Sequence, residues 1–111
     1  MQYHVIFTVG VGKDREGRKI SDREASLIVN CIGRYFADNG VAFTLTRGTG
    51  HWEGIHEPVA VFTSDMWAEL SELKVHARKL ASIGYQTAVH MSAVQVYAVD
   101  VDYNGNANDN S

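Results

Sequence analysis

The spacing of apolar residues changes from segment to segment along the chain and predicts where strands and helices lie. Residues 3–10 are rich in aromatic and β-branched side chains, which favours a strand. Residues 11–20 contain two glycines and six charged residues, which predicts a loop. A helix is predicted next, because Ser21 and Glu24 form an S-x-x-E capping box and apolar side chains follow at three- and four-residue spacing. The Asn39-Gly40 pair is typical of a helix end.

The second half of the chain repeats this order of elements. Residues 41–46 alternate between apolar and polar side chains, and residues 59–63 are apolar or β-branched, so both segments are predicted strands. Ser64 or Asp65 is expected to cap a second helix, and Gly84 is expected to end it. The apolar positions assigned to this helix recur at helical spacing and are Trp67, Leu70, Leu73, Ala77, Leu80 and Ala81.

These elements and a last strand over residues 86–99 give the order β-α-β-β-α-β. This order predicts an α+β domain of ferredoxin-like topology, in which two helices cover one face of a four-stranded antiparallel sheet. A single domain over residues 1–101 accounts for the regular pattern. Residues 102–111 show no periodicity, and we expect this C-terminal tail to be disordered.

Both faces of the predicted sheet are expected to carry apolar side chains, although the helices cover only one of them. Small domains of this kind commonly cover a second apolar face by association, so a homo-oligomer is predicted, with a trimer favoured by analogy. The residues behind this expectation are Val5, Phe7, Val9, Val94, Val96 and Val99.

Charge and composition restrict the classes of partner. The 111 residues carry a formal net charge of −3, which gives no basic surface for nucleic acid or for an anionic membrane. Apolar runs are much shorter than the roughly 20 residues that span a bilayer, and the N-terminus lacks the regions of a signal peptide. The single cysteine, Cys31, is expected to be a small buried hydrophobe in a reducing compartment. We therefore expect a cytoplasmic protein.

Residues 47–58, with the sequence RGTGHWEGIHEP, form the part of the chain richest in chemically useful side chains. Three glycines allow the backbone to approach a ligand closely, and Trp52 offers an aromatic face for a cation or a base. Two imidazoles, two carboxylates and one guanidinium can bind polar groups. The alternative is a solvated hairpin whose Trp52 packs on the sheet without any ligand.

Metal and phosphate sites have less support in the sequence. No zinc-binding motif is present, so neither a metal nor another cofactor is expected. His4 and His76 are expected at the surface or at an interface. The Gly10-Val11-Gly12 sequence is a fragment of a phosphate-binding pattern, and it can line a cleft between subunits. The side chains considered as metal ligands are His51, His56, Glu57 and His90.

Three short sequences together resemble those of the phage-encoded S-adenosylmethionine lyases. The first is the strand His4-Val5-Ile6-Phe7, and the last is the strand end Val96-Tyr97-Ala98. Between them lie a glycine-flanked aromatic and a glutamate before the third strand, which are Gly50, Trp52 and Glu57. The resemblance covers most of residues 1–100. The predicted fold is also similar to that of the PII-type signalling proteins.

The resemblance implies a PII-like homotrimer with active sites between subunits. It implies conversion of S-adenosylmethionine to methylthioadenosine and homoserine lactone, which counteracts host restriction, without any cofactor. Glu57 takes the place of the family's essential carboxylate, and the family's active-site tyrosine falls near Phe43 or Thr46, neither of which is tyrosine. The substrate-binding residues implied are Trp52, Phe43, Thr46, His56 and Tyr97.

The sequence leaves two other functions open. An oligomer with the same clefts can bind a nucleotide or another small molecule without turnover, as a sensor or as an anti-defence protein. A protein that inhibits a host enzyme would instead present an exposed apolar or acidic patch. Formation of methylthioadenosine from S-adenosylmethionine distinguishes the lyase from both.

Overall fold

The computed structural model of the chain describes residues 1–108. Its elements follow the order β-α-β-β-α-β, and a short pair of strands is added at the C-terminus. The elements are β1 (Gln2–Gly10), α1 (Asp22–Asp38), β2 (Thr44–Trp52), β3 (Ile55–Trp67), α2 (Leu70–Ile83), β4 (His90–Gln95), β5 (Asp100–Val101) and β6 (Ala107–Asn108).

β1 lies inside the four-stranded sheet, whose order is β2-β3-β1-β4. All three pairings are antiparallel. Val5, Phe7 and Val9 are fully buried whereas the residues between them are not, so one face of β1 meets the core. The core cluster contains buried residues of both helices, and both helices therefore cover this face. The α+β class is confirmed, and the strand order is compatible with the ferredoxin-like topology.

The opposite face of the sheet, which we call the helix-free face, is less apolar than the sequence suggested. Val5, Phe7 and Val9 all belong to the core face, whereas Val94 lies on the helix-free face, where it is the cross-strand partner of His4. The centre of the helix-free face mixes β-branched apolar and hydroxyl side chains. These residues are Ile6, Thr8, Thr46, Val61, Thr63 and Ser92.

Aromatic rings join the helices to the sheet at the centre of the core. The ring of Phe36 in α1 is fully buried, and its centroid lies 5.7 Å from those of Phe7 and Phe62. Phe43, just before β2, lies 5.4 Å from the same ring. Tilted ring pairs at these separations add to the free energy gained by burial alone. Phe36 therefore connects α1 to β1, to β3 and to the start of β2.

α1 begins where the sequence predicted. Ser21 Oγ accepts a hydrogen bond from the Glu24 backbone N–H at 3.1 Å, and the Glu24 carboxylate accepts one from the Ser21 N–H at 3.4 Å. The predicted burial of Cys31 was wrong, because this side chain is exposed. Cys31 lies outside the buried stripe of the helix, whose members are Ala25, Val29, Ile32 and Phe36.

α2 begins later than predicted. Ser64 and Asp65 do not cap a helix, because both lie in β3, which runs to Trp67. Trp67 is therefore a strand residue, not the first apolar position of the helix. The N-terminus of α2 is closed instead by the carboxylate of Glu72, which accepts a hydrogen bond from the Glu69 N–H at 3.2 Å.

The glycine-rich segment between the two predicted strands is itself mostly strand. β2 and β3 pair continuously up to Trp52 and Ile55. Glu53 and Gly54 between them have φ values of 46° and 78°, as two-residue turns of the primed type require. The register of β1 with β3 ends at Val59, so residues 49–58 extend past the sheet as a two-stranded arm. The arm contributes to the elongated shape, with extents of 50 × 29 × 28 Å.

β4 is shorter than the predicted strand over residues 86–99. Its register with β1 ends where Gln95 pairs with Tyr3, close to the first residue of β1. The Gln2 side chain then holds the departing chain, because its amide donates to Ala98 O at 3.3 Å and accepts from Ala98 N at 3.2 Å. The segment that follows is therefore fixed to the edge of the sheet near the N-terminus.

Part of the predicted C-terminal tail lies in a small hairpin. β5 pairs with β6 in antiparallel register, and Asp102 Oδ1 accepts the backbone N–H groups of Asn104 and Asn106 in the turn, each at 2.9 Å. Residues 109–111 of the predicted tail lie outside the described residues. Within residues 1–108, no helix combines the length and the apolar character needed to cross a membrane.

Candidate functional site

Glu57 lies at the base of the arm, and its side chain packs against the backbone of Gly10 and Gly12. A Cβ atom on Gly10 would lie 2.5 Å from Glu57 Oε1, and a Cβ on Gly12 would lie 3.6 Å from Glu57 Oε2. The two glycines therefore leave the space that the carboxylate occupies. Glu57 is partly buried, and within residues 1–108 no group donates a hydrogen bond to its carboxylate. The carboxylate is thus available to a donor from outside the chain.

Gln86 directs its amide oxygen to the same place. Its Nε2 donates hydrogen bonds to the carbonyls of Lys13 at 2.8 Å and Gly84 at 3.2 Å, which fixes the orientation of the amide. The amide oxygen then lies 3.2 Å from the Cβ position of Gly10, beside the Glu57 carboxylate. Two oxygens that only accept hydrogen bonds converge above Gly10. This arrangement favours a ligand group that donates, such as an ammonium group or paired hydroxyls.

The charged loop after β1 is ordered by a buried carboxylate. Asp14 Oδ1 accepts hydrogen bonds from the backbone N–H groups of Glu16 and Arg18, and Oδ2 accepts one from Arg18 Nε, each at 3.0 Å. Burial raises the pKa of Asp14, but the hydrogen bonds from Arg18 and Glu16 outweigh it, and the pKa lies below its usual value. The Tyr85 hydroxyl donates to Glu16 at 2.7 Å, which ties the loop to the end of α2. The Lys13 carbonyl, which orients the Gln86 amide, is therefore held in place.

Trp52 and His56 lie further out on the arm than Glu57. Trp52 is 73% exposed and pairs across the turn with Ile55, so it does not pack on the sheet as the solvated-hairpin interpretation required. The ring of His56 lies edge-on to that of His51, with the centroids 4.2 Å apart. The arm therefore carries three of the predicted site residues, with the carboxylate at its base and the indole at its tip.

The other three predicted site residues lie elsewhere in the chain. Phe43 is partly buried and packs on the ring of Phe36. Thr46 lies in the middle of the helix-free face, and Tyr97 lies beyond the end of β4 and is 70% exposed. Tyr97 and Phe43 are close to the end of the sheet where β3 finishes, whereas Glu57 lies near the start of β3. One copy of the chain therefore does not bring the six predicted residues together.

A pocket of about 510 Å³ lies at this other end of the helix-free face. On its wall His4 Nδ1 and Asp65 Oδ1 share a hydrogen bond of 2.9 Å, and both side chains are nearly half exposed. The pair forms because His4 and Asp65 are direct cross-strand partners, a register that the sequence did not reveal. We call this cavity the His4–Asp65 pocket. Other residues around it are Phe43, Thr44, Thr63, Trp67, Val99 and Asp100.

Residues 1–108 contain no group of three or more histidine, cysteine, aspartate or glutamate side chains arranged to hold a metal ion. No family model, no curated protein and no solved structure matches the chain.

Proposed function

We propose that the chain is an S-adenosylmethionine lyase that acts in the cytoplasm as a homo-oligomer, with a PII-like trimer as the expected form. The observation that supports this proposal is the convergence of the Glu57 carboxylate and the Gln86 amide oxygen above Gly10. These acceptors suit the ammonium group in the methionine portion of the substrate. The resemblance of residues around Trp52 to phage-encoded lyases supplies the identity of the ligand, and removal of the methyl donor would counteract host restriction.

The reaction needs little from the protein beyond positioning. The carboxylate of the substrate attacks the side-chain carbon bonded to the sulfonium, a carbon–oxygen bond forms, and the carbon–sulfur bond breaks with its electrons going to sulfur. Methylthioadenosine leaves and homoserine lactone remains. Opposite charges disappear as the bond forms, so a site that excludes water favours the transition state. By binding the ammonium group, Glu57 leaves the substrate carboxylate free to attack and holds it in an attack geometry.

A second copy of the chain is part of this proposal. Glu57 is only partly buried within one copy, and the aromatic residues Phe43 and Tyr97 are remote from it. Packing of another subunit against the base of the arm would exclude water from the carboxylate. It would also bring an aromatic face to the adenine or the sulfonium of the substrate.

The test is incubation of the purified chain with S-adenosylmethionine, followed by mass spectrometry for methylthioadenosine. We expect turnover by the wild type and none by Glu57→Gln, with the oligomer unchanged. Substrate binding by Glu57→Gln is expected to weaken by about 10- to 100-fold, because a hydrogen bond to a charged group contributes about 1.5–3 kcal/mol. Glu53→Gln is the matched control, since Glu53 lies in the exposed turn of the same arm. Unchanged turnover in Glu57→Gln would remove this carboxylate from the mechanism.

One observation favours a second function, which is binding of the same ligand without turnover. Phe43 and Thr46 take the positions where the resemblance places a tyrosine, and neither residue lies near Glu57 in one copy. A pair of acceptor oxygens is sufficient for binding, so a sensor or a protein that sequesters its ligand needs no further group. Calorimetric binding of intact S-adenosylmethionine without any methylthioadenosine would support this second function. Absence of both binding and turnover would contradict both proposals.

A further inference from the structure

The tip of the arm exposes an apolar pair that residues 1–108 do not cover. Trp52 is 73% exposed and Ile55 is 62% exposed. The two residues are cross-strand partners next to the turn, so their side chains project from the same face of the arm. The pair therefore offers a projecting apolar surface that a partner can cover.

The His4–Asp65 pocket has the size to receive such a tip. Its volume of about 510 Å³ is in the range of cavities that hold an aromatic group together with an aliphatic neighbour. Phe43, Trp67 and Val99 are apolar residues in a lining whose exposed surface is mainly polar. Trp67 is itself 51% exposed, so it would also be covered by an inserted group.

The tip cannot enter the pocket of its own chain. Ile55 and Asp65 lie ten positions apart in one continuous strand, which separates them by roughly 33 Å at about 3.3 Å per residue. β3 runs without interruption from the tip to Trp67 beside the pocket. The group that fills the pocket must therefore come from another molecule, and a second copy of the chain carries a matching one.

A donor at the arm tip also matches acceptors in the pocket. The residues that line the pocket include Asp65 and Asp100 and no lysine or arginine. The arm tip offers the indole N–H of Trp52, whereas His51 and His56 form the next cross-strand pair and project from the reverse face of the arm. A buried indole N–H requires an acceptor, and the pocket carboxylates provide it.

From these observations we infer that the arm tip of one copy inserts into the His4–Asp65 pocket of a second copy, with Trp52 and Ile55 as the buried side chains. Each copy has one tip and one pocket at opposite ends of its sheet, so a closed assembly can satisfy every tip and every pocket. The inference rests on the homo-oligomer of the proposed function and names its contact. It places the arm of one subunit beside the Phe43 end of the next.

Sedimentation velocity on the full chain tests this contact. We expect the wild type to sediment as an oligomer and Ile55→Asp to sediment as a monomer at the same concentration, since the variant places a carboxylate against Asp65. Val99→Arg is expected to have the same effect from the pocket side. Leu27→Asp is the control, because Leu27 is 55% exposed on α1, away from both surfaces, and this variant should remain an oligomer. Circular dichroism establishes that each variant is folded.

Cysteine cross-linking identifies the two surfaces directly. In a Cys31→Ser background, a copy with Ile55→Cys mixed with a copy with Val99→Cys should form a mixed disulfide, because insertion brings the two Cβ atoms within bonding range. Leu27→Cys should form none with Ile55→Cys. An oligomer that survives Ile55→Asp and gives no mixed disulfide would overturn the contact alone. A wild-type chain that is monomeric at every concentration would overturn both the contact and the proposed oligomer. Binding of S-adenosylmethionine at Glu57 is measured in a separate experiment, so the failure of the contact can be distinguished from the failure of the proposed function.

Discussion

The hydroxyl of Tyr35 and Nδ1 of His76 share a hydrogen bond of 2.6 Å, which joins α1 to α2. Burial lowers the pKa of His76, and the nearby carboxylate of Glu72 opposes this only in part. The unfolded chain, in which an imidazole has a pKa of about 6.5, therefore binds a proton at this ring more readily than the folded chain. The free energy of unfolding rises with pH wherever the unfolded state holds more protons. The stability linked to His76 is full above about pH 6.5 and is lost as the pH falls through the lowered pKa.

Urea titrations between about pH 7.5 and pH 5, on either side of the ordinary imidazole pKa, measure this effect. We expect the free energy of unfolding to fall towards acid in the wild type and to fall less steeply in His76→Gln. His90→Gln is the control for the loss of an imidazole, because His90 is exposed on β4. The same slope in His76→Gln as in the wild type would show that this ring does not carry the pH dependence.

Replacement of Phe36 should cost more stability than any exposed substitution in α1. Its ring is fully buried and lies within 6 Å of the rings of Phe7, Phe43 and Phe62. Phe36→Ala is expected to lower the free energy of unfolding by about 3–5 kcal/mol, because it removes apolar burial and leaves a cavity. Phe36→Leu should cost distinctly less, since it keeps most of the volume. Chemical denaturation with fluorescence detection measures both, and equal losses would contradict the cavity explanation.

A methyl group on Gly10 should disturb the candidate site without unfolding the chain. The Cβ of Gly10→Ala would lie 2.5 Å from Glu57 Oε1 and 3.2 Å from Gln86 Oε1, so both side chains must move. These close atoms are side-chain ends, which can shift while the backbone pairing of β1 is kept. We expect binding of S-adenosylmethionine to weaken by about tenfold or more, as measured by calorimetry.

Gly48→Ala provides the matched control for this substitution. Gly48 is also a strand glycine, but its Cβ would come no closer than 4.0 Å to another residue, the side chain of Val59. Binding by this variant should equal that of the wild type. Weakened binding in Gly48→Ala, or unchanged binding in Gly10→Ala, would show that the ligand does not bind in the space above Gly10.

Local signals predicted α1 correctly but misplaced the start of α2. Ser21 and Glu24 met no competing partner, so their capping box formed as the sequence indicated. Ser64 carries the same type of capping signal, yet its hydroxyl donates to Ala42 O at 2.6 Å and its backbone pairs with Val5. Pairing of β3 along the whole of β1 outweighed a local preference for capping. Only the long-range register shows this result.

The candidate site was predictable only in part, because local signals mark some of its residues and long-range packing brings in the others. The neighbours of Glu57 in the sequence mark it as a candidate, and Gly10 and Gly12 form a separate glycine pattern. Gln86 gave no signal in the sequence. Its amide is oriented by the carbonyls of Lys13 and Gly84, which come together only when the loop after β1 packs against the end of α2. The pairing of His4 with Asp65 gave no signal in the sequence either, since 61 positions separate the two residues and the sheet register alone makes them partners.

The unbroken pairing of the arm restricts how its length can change during evolution. Side chains alternate between the two faces of a strand, so adding one residue to each side of the arm, between its base and its tip, would turn Trp52 and Ile55 to the reverse face of the arm. Adding two to each side would keep their direction and carry them about 7 Å further from Glu57. Related chains with longer or shorter arms should therefore differ by even steps in each strand.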